Sequence, residues 1–412
     1  MRTKRFIPAL TLLLFIAILF NLTSCSMDVQ AQDLTKEVTA NTVKGKLTDD
    51  RFIVNTASFS IDLFKKSVTK DKNSLISPTS VFLALSMTAN GADKETLTQM
   101  QTVLGKDISI DELNEYLYYY VKKLPSGEKA KLSIANSIWF RDGLTVEKDF
   151  LQKNADYYKA AAYKSDFDEQ TVEDINNWVR NNTDGMIDKL IEQINSDVMM
   201  YLINTVCFDA EWKEIYKAEK VQEGEFTASN GSKQKVNFMN SNESSYLDDG
   251  KAIGFIKPYA YGYSFVALLP NEDVSIDDYI SSLTGERFLN LLKNKVSCSV
   301  DAYLPKFTYE YEIRMNDVLK AQGMPDAFDA EKADFTRIDK SGGLYIGEVL
   351  HKTFIAVDET GTRAGAATKV EMLKNGAPLD PKVVRLDRPF VYAIIDSATN
   401  LPLFIGTVTS IH

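Results

Sequence analysis

Residues 359–374 read ETGTRAGAATKVEMLK, and alternate positions in this stretch differ in chemistry. Between residues 362 and 372, one set of positions is small or apolar and the other holds every charge. A period of two is typical of a β-strand with one buried face, yet the Gly and Ala residues in the first half have weak strand propensity. The sequence therefore predicts a strand that forms only conditionally. Its buried face would carry Thr362, Ala364, Ala366, Thr368, Val370 and Met372.

The sequence outside this stretch predicts further strands in the second half of the chain. Residues 296–304 alternate between apolar and polar side chains, and the pattern ends at Pro305. Four apolar segments with strand-forming residues are also predicted to be strands, namely residues 265–269, 345–357, 390–395 and 403–408.

Helical patterns dominate the first half. Apolar residues at helical spacing predict helices over residues 50–68 and 78–90, and Pro78 suits the first turn of the second one. Residues 171–174 resemble a capping box that opens a further helix. No Pro/Gly/Ser-rich linker divides residues 49–412. We therefore expect a single α+β domain there, with a mostly antiparallel sheet.

The scarcity of histidine excludes several function classes. The 412-residue chain has two histidines, His351 and the terminal His412. A zinc-binding H-E-x-x-H motif is therefore impossible, and a His-based catalytic triad would have to use His351. The chain has no G-x-S-x-G, P-loop or G-x-G-x-x-G motif. We expect neither an enzyme nor a metal or other cofactor.

The start of the chain resembles a bacterial lipoprotein signal. Residues 1–24 contain a basic start and a short apolar run, and Leu-Thr-Ser before Cys25 resembles a lipobox. We expect Cys25 to be lipidated and residues 25–48, which are polar and lack periodicity, to be a tether. The alternative is an ordinary secretory signal with an incidental cysteine. The lipoprotein interpretation predicts a membrane-anchored protein of the bacterial cell envelope, on an outer-membrane, periplasmic or surface face.

Charge and cysteine content narrow the partners. Removing the three basic residues of the signal lowers the formal net charge from −10 to −13, which argues against nucleic acid as a partner. Cys207 and Cys298 lie in apolar, strand-like segments. They are predicted to be buried free thiols, with a disulfide as the alternative.

Five stretches of the chain carry recognisable motifs. They are residues 73–80 (NSLISPTS), residues 204–208 (NTVCF) with Trp212, residues 304–307 (LPKF), His351-Lys352 with residues 358–362 (DETGT), and residues 388–390 (RPF) with residues 401–406. In this order and spacing they resemble the serpin family, and the resemblance covers about residues 50–409. It implies a serpin fold, with a large, mostly antiparallel central sheet, smaller sheets, eight or nine helices and an exposed reactive loop at about residues 359–381.

The resemblance also implies a mechanism and a partner. A serpin loop is cleaved by a target protease, and the cleaved loop then inserts into the large sheet with the protease still attached. Insertion requires a hinge of small residues, and residues 361–368 meet that need. The hinge residues are Glu359, Gly361, Thr362, Ala364, Ala366, Ala367 and Thr368. We expect a monomeric, irreversible suicide inhibitor. The alternative is a non-inhibitory, lipid-anchored binding protein on the same fold.

The cleaved bond is predicted from family spacing and charge. Spacing from Glu359 points to Asn375, and a Lys at the adjacent position suits trypsin-like serine proteases. We therefore predict cleavage between Lys374 and Asn375. Cleavage beside Met372, Leu373 or Gly376 is the alternative, and bonds next to Met372 or Leu373 would suit elastase-like, chymotrypsin-like or cysteine proteases.

The resemblance assigns supporting roles to six residues outside the loop. Ser77, Ser80, Asn204 and His351 are expected to form a polar cluster beneath the large sheet that controls strand separation. Trp212 is expected where the loop joins the sheet, and Lys306 is expected to pair with Glu359 there. His351 is thus predicted to be structural and not catalytic.

Overall fold

The computed structural model describes residues 29–195, 198–362 and 381–411. Within these ranges there are nine α-helices. They are α1 (Asp50–Ser67), α2 (Pro78–Ala89), α3 (Lys94–Gly105), α4 (Ile110–Lys123), α5 (Lys148–Tyr158), α6 (Glu169–Asn182), α7 (Ile276–Ser282), α8 (Gly285–Lys293) and α9 (Asn316–Gln322).

The same ranges contain sixteen β-strands. They are β1 (Gln32–Asp33), β2 (Ser74–Ile76), β3 (Ala130–Arg141), β4 (Ala161–Ser165), β5 (Met200–Glu211), β6 (Val221–Thr227), β7 (Lys233–Asp248), β8 (Ala252–Pro258), β9 (Tyr263–Pro270), β10 (Val296–Pro305), β11 (Phe307–Arg314), β12 (Glu348–Val357), β13 (Gly361–Thr362), β14 (Lys382–Arg385), β15 (Phe390–Asp396) and β16 (Pro402–Val408).

Seven strands form one sheet in the order β1-β4-β3-β5-β13-β12-β11. Pairing is parallel between β3 and β4 and between β5 and β12, and antiparallel elsewhere in this sheet. The other nine strands form a second sheet, in which β6 pairs with β7 at the side of the order β14-β10-β7-β8-β9-β15-β16-β2. The α+β class and the mostly antiparallel sheet are confirmed. The remaining strands form one continuous nine-stranded sheet where several smaller sheets were expected.

Helix α2 lies beneath the seven-stranded sheet. Its sequence is apolar on nearly all sides and every one of its residues is buried, as expected for a helix surrounded by protein. Pro78 occupies the first helical position, where a missing N–H costs nothing. The helix packs against β3, β5 and β16, so it supports the sheet from the core side.

Helix α6 starts earlier than the sequence suggested. The capping box is formed by Asp168 and Thr171: the Asp168 carboxylate accepts from the Thr171 amide at 3.0 Å, and the Thr171 hydroxyl accepts from the Asp168 amide at 3.3 Å. The proposed box at residues 171–174 is therefore wrong. Asp168 is the N-cap instead of Thr171, because its short carboxylate lies just before the first turn, where free amides need an acceptor. Asp174 is instead buried on the side of the helix.

The described part of the predicted tether, residues 29–48, packs against the domain. The buried Asp174 carboxylate accepts hydrogen bonds from the amides of Gln30 at 3.0 Å and Ala31 at 2.7 Å. Strand β1 then pairs with β4, and further along Lys46 donates from its backbone to Glu115. The prediction of a tether is corrected for residues 29–48. They lie against the domain, because their backbone amides find hydrogen-bond acceptors on its surface.

Several sequence predictions fall outside the described residues. These are the signal at residues 1–24, the lipidation site Cys25, the hinge residues Ala364, Ala366, Ala367 and Thr368, and the candidate cleavage positions Met372, Leu373, Lys374, Asn375 and Gly376. Within the described ranges, none of the helices combines the length and apolar character needed to cross a membrane.

The two cysteines of the domain differ in burial. Cys207 is buried and its thiol donates to the carbonyl oxygen of Thr183, whereas Cys298 is partly exposed. They form no disulfide with each other. The prediction of unbridged thiols is confirmed, and full burial holds for Cys207 alone, since Cys298 lies in the irregular part of β10 between Ser297 and Val300.

Candidate functional site

Strands β5 and β12 are neighbours at one end and are separated by another strand at the other end. They pair in parallel where residues 201–204 meet residues 348–351, with Asn204 opposite His351. At the far end β13 lies between them. Adjacent strands lie about 4.8 Å apart. Two strands that change from first to second neighbours must therefore diverge by roughly one strand spacing.

Strand β13 is the start of the predicted hinge, and it is fixed tightly in the sheet. Gly361 pairs with Glu211 and Thr362 with Ala210 on one side, while Thr362 pairs with Val357 on the other. A Cβ atom at Gly361 would lie 2.0 Å from the Ala210 carbonyl oxygen, so only glycine fits. Thr362 is 2% exposed and its hydroxyl hydrogen-bonds to that of Tyr259. Thr362 therefore faces the core in the described structure, on the side that the alternating pattern predicts.

Residues 211–216, which we call the hinge-binding segment, hold the chain just before β13. The Trp212 amide donates to the Thr360 carbonyl at 2.8 Å, and its indole N–H donates to the Asp358 carbonyl at 2.9 Å. The Tyr216 amide donates to the Glu359 carbonyl at 2.9 Å. The Trp212 ring also stacks on Tyr259, with ring centroids 4.4 Å apart. Trp212 therefore lies where the sequence predicted it, at the junction of loop and sheet.

The chain at this junction also makes a tight turn of its own. The Asp358 carboxylate accepts from the amides of Thr360 at 2.8 Å and Gly361 at 3.2 Å. An aspartate that binds amides two and three residues ahead stabilises a turn. This turn directs residues 361 and 362 back between β5 and β12.

The predicted contact between Lys306 and Glu359 is present. The Lys306 ammonium lies 2.9 Å from a Glu359 carboxylate oxygen, just outside the hinge-binding segment. Both side chains are about one third exposed. Solvent screening limits the contribution of such a pair to about 0–1 kcal/mol.

His351 lies on the core side of β12, against the start of α2. Its Nε2 accepts a hydrogen bond from the Ser77 amide at 3.0 Å, which places the proton of the neutral ring on Nδ1. The side chain is buried, and burial lowers the pKa of His351 to about 4. The ring is therefore neutral at pH 7.

Asn204 completes a polar cluster with His351 beneath the sheet. Its amide nitrogen donates to the Ser80 carbonyl at 3.0 Å and to the side chain of Asn136 on β3. Four buried polar atoms of the cluster have no hydrogen-bond partner among the described residues: Ser77 Oγ, Ser80 Oγ, Asn204 Oδ1 and His351 Nδ1. Buried polar atoms normally have partners. The structure thus brings Ser77, Ser80, Asn204 and His351 together as predicted, and the cluster has polar atoms that could bind a further polar group.

Sequence reasoning missed three residues of this site: Asn136, Tyr216 and Tyr259. Asn136 was detectable only as a polar residue within a strand, and the two tyrosines resemble ordinary core aromatics. Their partners are 68 or more residues away in Asn204, Glu359 and Thr362. No local pattern reports such contacts.

Comparison with known proteins gives a consistent result. A family model described as Serpin (serine protease inhibitor) matches residues 54–411. An uncharacterized serpin-like protein of Thermococcus kodakarensis is 30% identical over 358 residues, which are 85% of this chain and 83% of the relative. Human neuroserpin is 29% identical over 376 residues, which are 85% of this chain and 90% of neuroserpin.

Solved structures agree with the family match. The native state of the thermophilic serpin tengpin is 56% identical with a TM-score of 0.90, and the alignment covers 93% of this chain and 100% of tengpin. Its latent state gives a lower TM-score of 0.80 at 53% identity, covering 89% and 100%. The described arrangement of strands is therefore more similar to the native form. This chain belongs to the serpin family.

Proposed function

We propose that this protein is an irreversible protease inhibitor whose cleaved loop inserts between β5 and β12. The observation that carries the proposal is β13. Residues Gly361 and Thr362 already occupy the place of a strand between these two strands. Because the chain continues from there into residues 363–380, cleavage within that segment would free its first part to extend β13.

The strand registers support a continuous insertion. Extending the pairing of Thr362 with Ala210 places residue 368 opposite Asn204. Extending the pairing of Thr362 with Val357 places the same residue opposite His351. Asn204 and His351 are partners of each other at present, so one register serves all three strands.

This register would bring Thr368 to the polar cluster. Its side chain has the same parity as Thr362 and would face Asn204 and His351 on the core side. Its hydroxyl could donate and accept one hydrogen bond each, and the cluster has acceptor and donor atoms without partners among the described residues. In this register, residue 372 would lie opposite Met200, the first residue of β5.

The energy of such an insertion is sufficient to deform a protease. Ten added strand residues, 363–372, would form about ten hydrogen bonds at about 0.5–1.5 kcal/mol each. Burial of Val370 and Met372 would add roughly 1.5–3 kcal/mol apiece. The total of about 8–21 kcal/mol is comparable with the whole stability of a typical domain, about 5–15 kcal/mol.

The target class follows from the loop sequence. We propose that trypsin-like serine proteases attack the bond between Lys374 and Asn375, because a lysine suits a specificity pocket that carries an acid. Residue 372 is the last to reach a partner on β5 in the proposed register, so cleavage at 374 would leave two residues to connect the inserted strand with the bound protease.

Incubation with trypsin followed by denaturing gel electrophoresis tests both claims. We expect a covalent complex of summed mass, and a released C-terminal peptide whose mass corresponds to a start at Asn375. A complex with a different peptide mass would show that the cleaved bond is not the one between Lys374 and Asn375. Cleavage without any complex, repeated with elastase-, chymotrypsin-like and cysteine proteases, would favour the alternative of a non-inhibitory binding protein.

We further propose that the protein is attached to the bacterial cell envelope through a lipid on Cys25. The support is the signal-like sequence of residues 1–24 followed by the lipobox-like Leu-Thr-Ser-Cys. Detergent-phase partitioning of the protein expressed with its signal tests this. The wild type should enter the detergent phase and Cys25→Ser should not. Equal partitioning of the two would contradict the lipid anchor.

A further inference from the structure

The side chains of Lys257 on β8 and Glu243 on β7 form an ion pair inside the protein. The Lys257 ammonium lies 3.0 Å from Glu243 Oε1, and the two side chains are 2% and 8% exposed. Among ion pairs of the described residues, this is the one in which both side chains are less than a tenth exposed. Removing two charges from water is expensive. Strand β8 is otherwise apolar and does not need a lysine in order to pair in the sheet. The presence of the buried Lys257 therefore suggests a role beyond sheet formation.

The ammonium is enclosed by the hinge-binding segment. It donates to the Glu214 carbonyl at 3.2 Å, lies 4.2 Å from the ring centre of Tyr216 and lies 5.4 Å from that of Trp212. A desolvated cation is attracted to aromatic faces at these distances. Glu243 is fixed in turn by the Ser241 hydroxyl at 2.7 Å. Carboxylate, carbonyl and rings thus surround the charge.

The same segment carries the contacts that hold the hinge. Trp212 and Tyr216 supply the three hydrogen bonds to the carbonyls of residues 358–360. Trp212 also stacks on Tyr259, whose hydroxyl holds Thr362. The ammonium of Lys257 contacts Trp212 and Tyr216, and these two residues in turn contact the hinge.

We infer that the Lys257–Glu243 pair is a positioning device for loop insertion, which rests on the proposed inhibitory function. The buried ammonium fixes the rings of Trp212 and Tyr216, and these residues keep the start of the loop paired with β5. The two residues of β13 are the first of the inserted strand. Loss of their pairing would delay insertion while the acyl-enzyme continues to hydrolyse, and more loop would be cleaved without inhibition.

Two variants separate positioning from stability. Lys257→Met leaves Glu243 buried without its partner, so it should lower the melting temperature as well as disturb the segment. The double variant Lys257→Met with Glu243→Met removes both charges, which is often tolerated well when volume is conserved. Arg287→Met is the matched control. It breaks the Arg287–Asp249 pair, which has a partly buried arginine and joins α8 to the chain just after β7, outside residues 211–216.

Two measurements decide the question. The first is hydrogen exchange of the Trp212 and Tyr216 amides, by mass spectrometry of peptides covering residues 211–217. The second is the ratio of covalent complex to cleaved chain with trypsin. We expect both Lys257 variants to exchange several-fold faster in this segment and to form several-fold less complex. Arg287→Met should leave both quantities unchanged, whatever its melting temperature.

The exchange measurement keeps this inference distinct from the proposed function. If the wild type forms no complex with any protease, the inhibitory function fails, and exchange alone still reports whether Lys257 holds the segment. Unchanged exchange in the double variant would overturn the inference, and so would equal acceleration in Arg287→Met. Normal complex formation by a double variant with accelerated exchange would overturn the role in insertion.

Discussion

Replacing Thr362 with Arg tests loop insertion at the residue that the structure already places in the sheet. Thr362 is 2% exposed and hydrogen-bonded to the Tyr259 hydroxyl. An Arg there would have to bury its guanidinium for the strand to stay inserted, at an effective cost of several kcal/mol. The Tyr259 hydroxyl would also lose its partner, which costs about 1–3 kcal/mol. The uncleaved chain can avoid this cost by releasing the two-residue β13 into solvent, whereas a fully inserted strand cannot. The inserted state should therefore lose at least about 4 kcal/mol relative to the uncleaved one.

This loss predicts a change from inhibitor to substrate. Insertion competes with hydrolysis of the acyl-enzyme, and each 1.36 kcal/mol added to the insertion barrier slows it tenfold. If half of the lost energy, about 2 kcal/mol, is felt in the transition state, insertion slows about 30-fold. Most encounters with the protease should then end in cleaved chain and active enzyme.

The assay is titration of trypsin with the variant, read by residual activity and by denaturing gel. Thr308→Arg is the matched control, because Thr308 is exposed on β11 of the same sheet, where a guanidinium stays in water. Thr362→Ser keeps the hydroxyl and should retain most of the inhibition. Persistent covalent complex with Thr362→Arg at the wild-type ratio would refute insertion of this residue.

Three further changes have defined outcomes. The pKa of His351 is about 4 in the folded protein and 6.5 in the unfolded chain, so the unfolded chain takes up the proton first and stability falls as pH falls below 6.5. Urea unfolding should show a loss of about 2 kcal/mol from this residue between pH 7 and 5. An unfolding free energy of His351→Gln that depends on pH as strongly as that of the wild type would contradict this. Asp174→Ala removes the acceptor of the Gln30 and Ala31 amides and should cost about 2 kcal/mol; amide exchange at residues 29–33 should accelerate, and unchanged exchange would show that β1 pairing alone holds them. Lys374→Ala should abolish complex formation with trypsin while leaving unfolding unchanged, whereas undiminished complex would place the bait bond elsewhere.

Local patterns predicted much of the fold because they depend on neighbouring residues only. The helix over residues 50–68 was predicted from apolar spacing, and α1 ends one residue earlier, at Ser67. The alternation from residue 296 to Pro305 became β10. Errors occurred where two nearby residues could both begin a helix. At α6 the N-cap is Asp168 and not Thr171.

The residues of the candidate site were predicted through the serpin resemblance, which assigned roles to His351, Asn204 and Trp212. Their residue types alone mark them only as polar or aromatic residues in or beside apolar strands. Asn136 and Tyr259 act through partners that lie 68 and 103 residues away, and their own neighbours give no sign of it. The ion pair of Lys257 and Glu243 likewise joins two strands that only the sheet brings together.

The class of fold, the family resemblance and the alternating pattern of the loop were all predictable before the structure, because they depend on residue order and on a period of two. Tertiary structure decided that residues 361 and 362 already lie between β5 and β12, and that residues 29–48 bind the domain. Both arrangements depend on backbone groups finding partners far along the chain. A backbone hydrogen bond is the same for every residue type, so side-chain patterns do not predict where it forms.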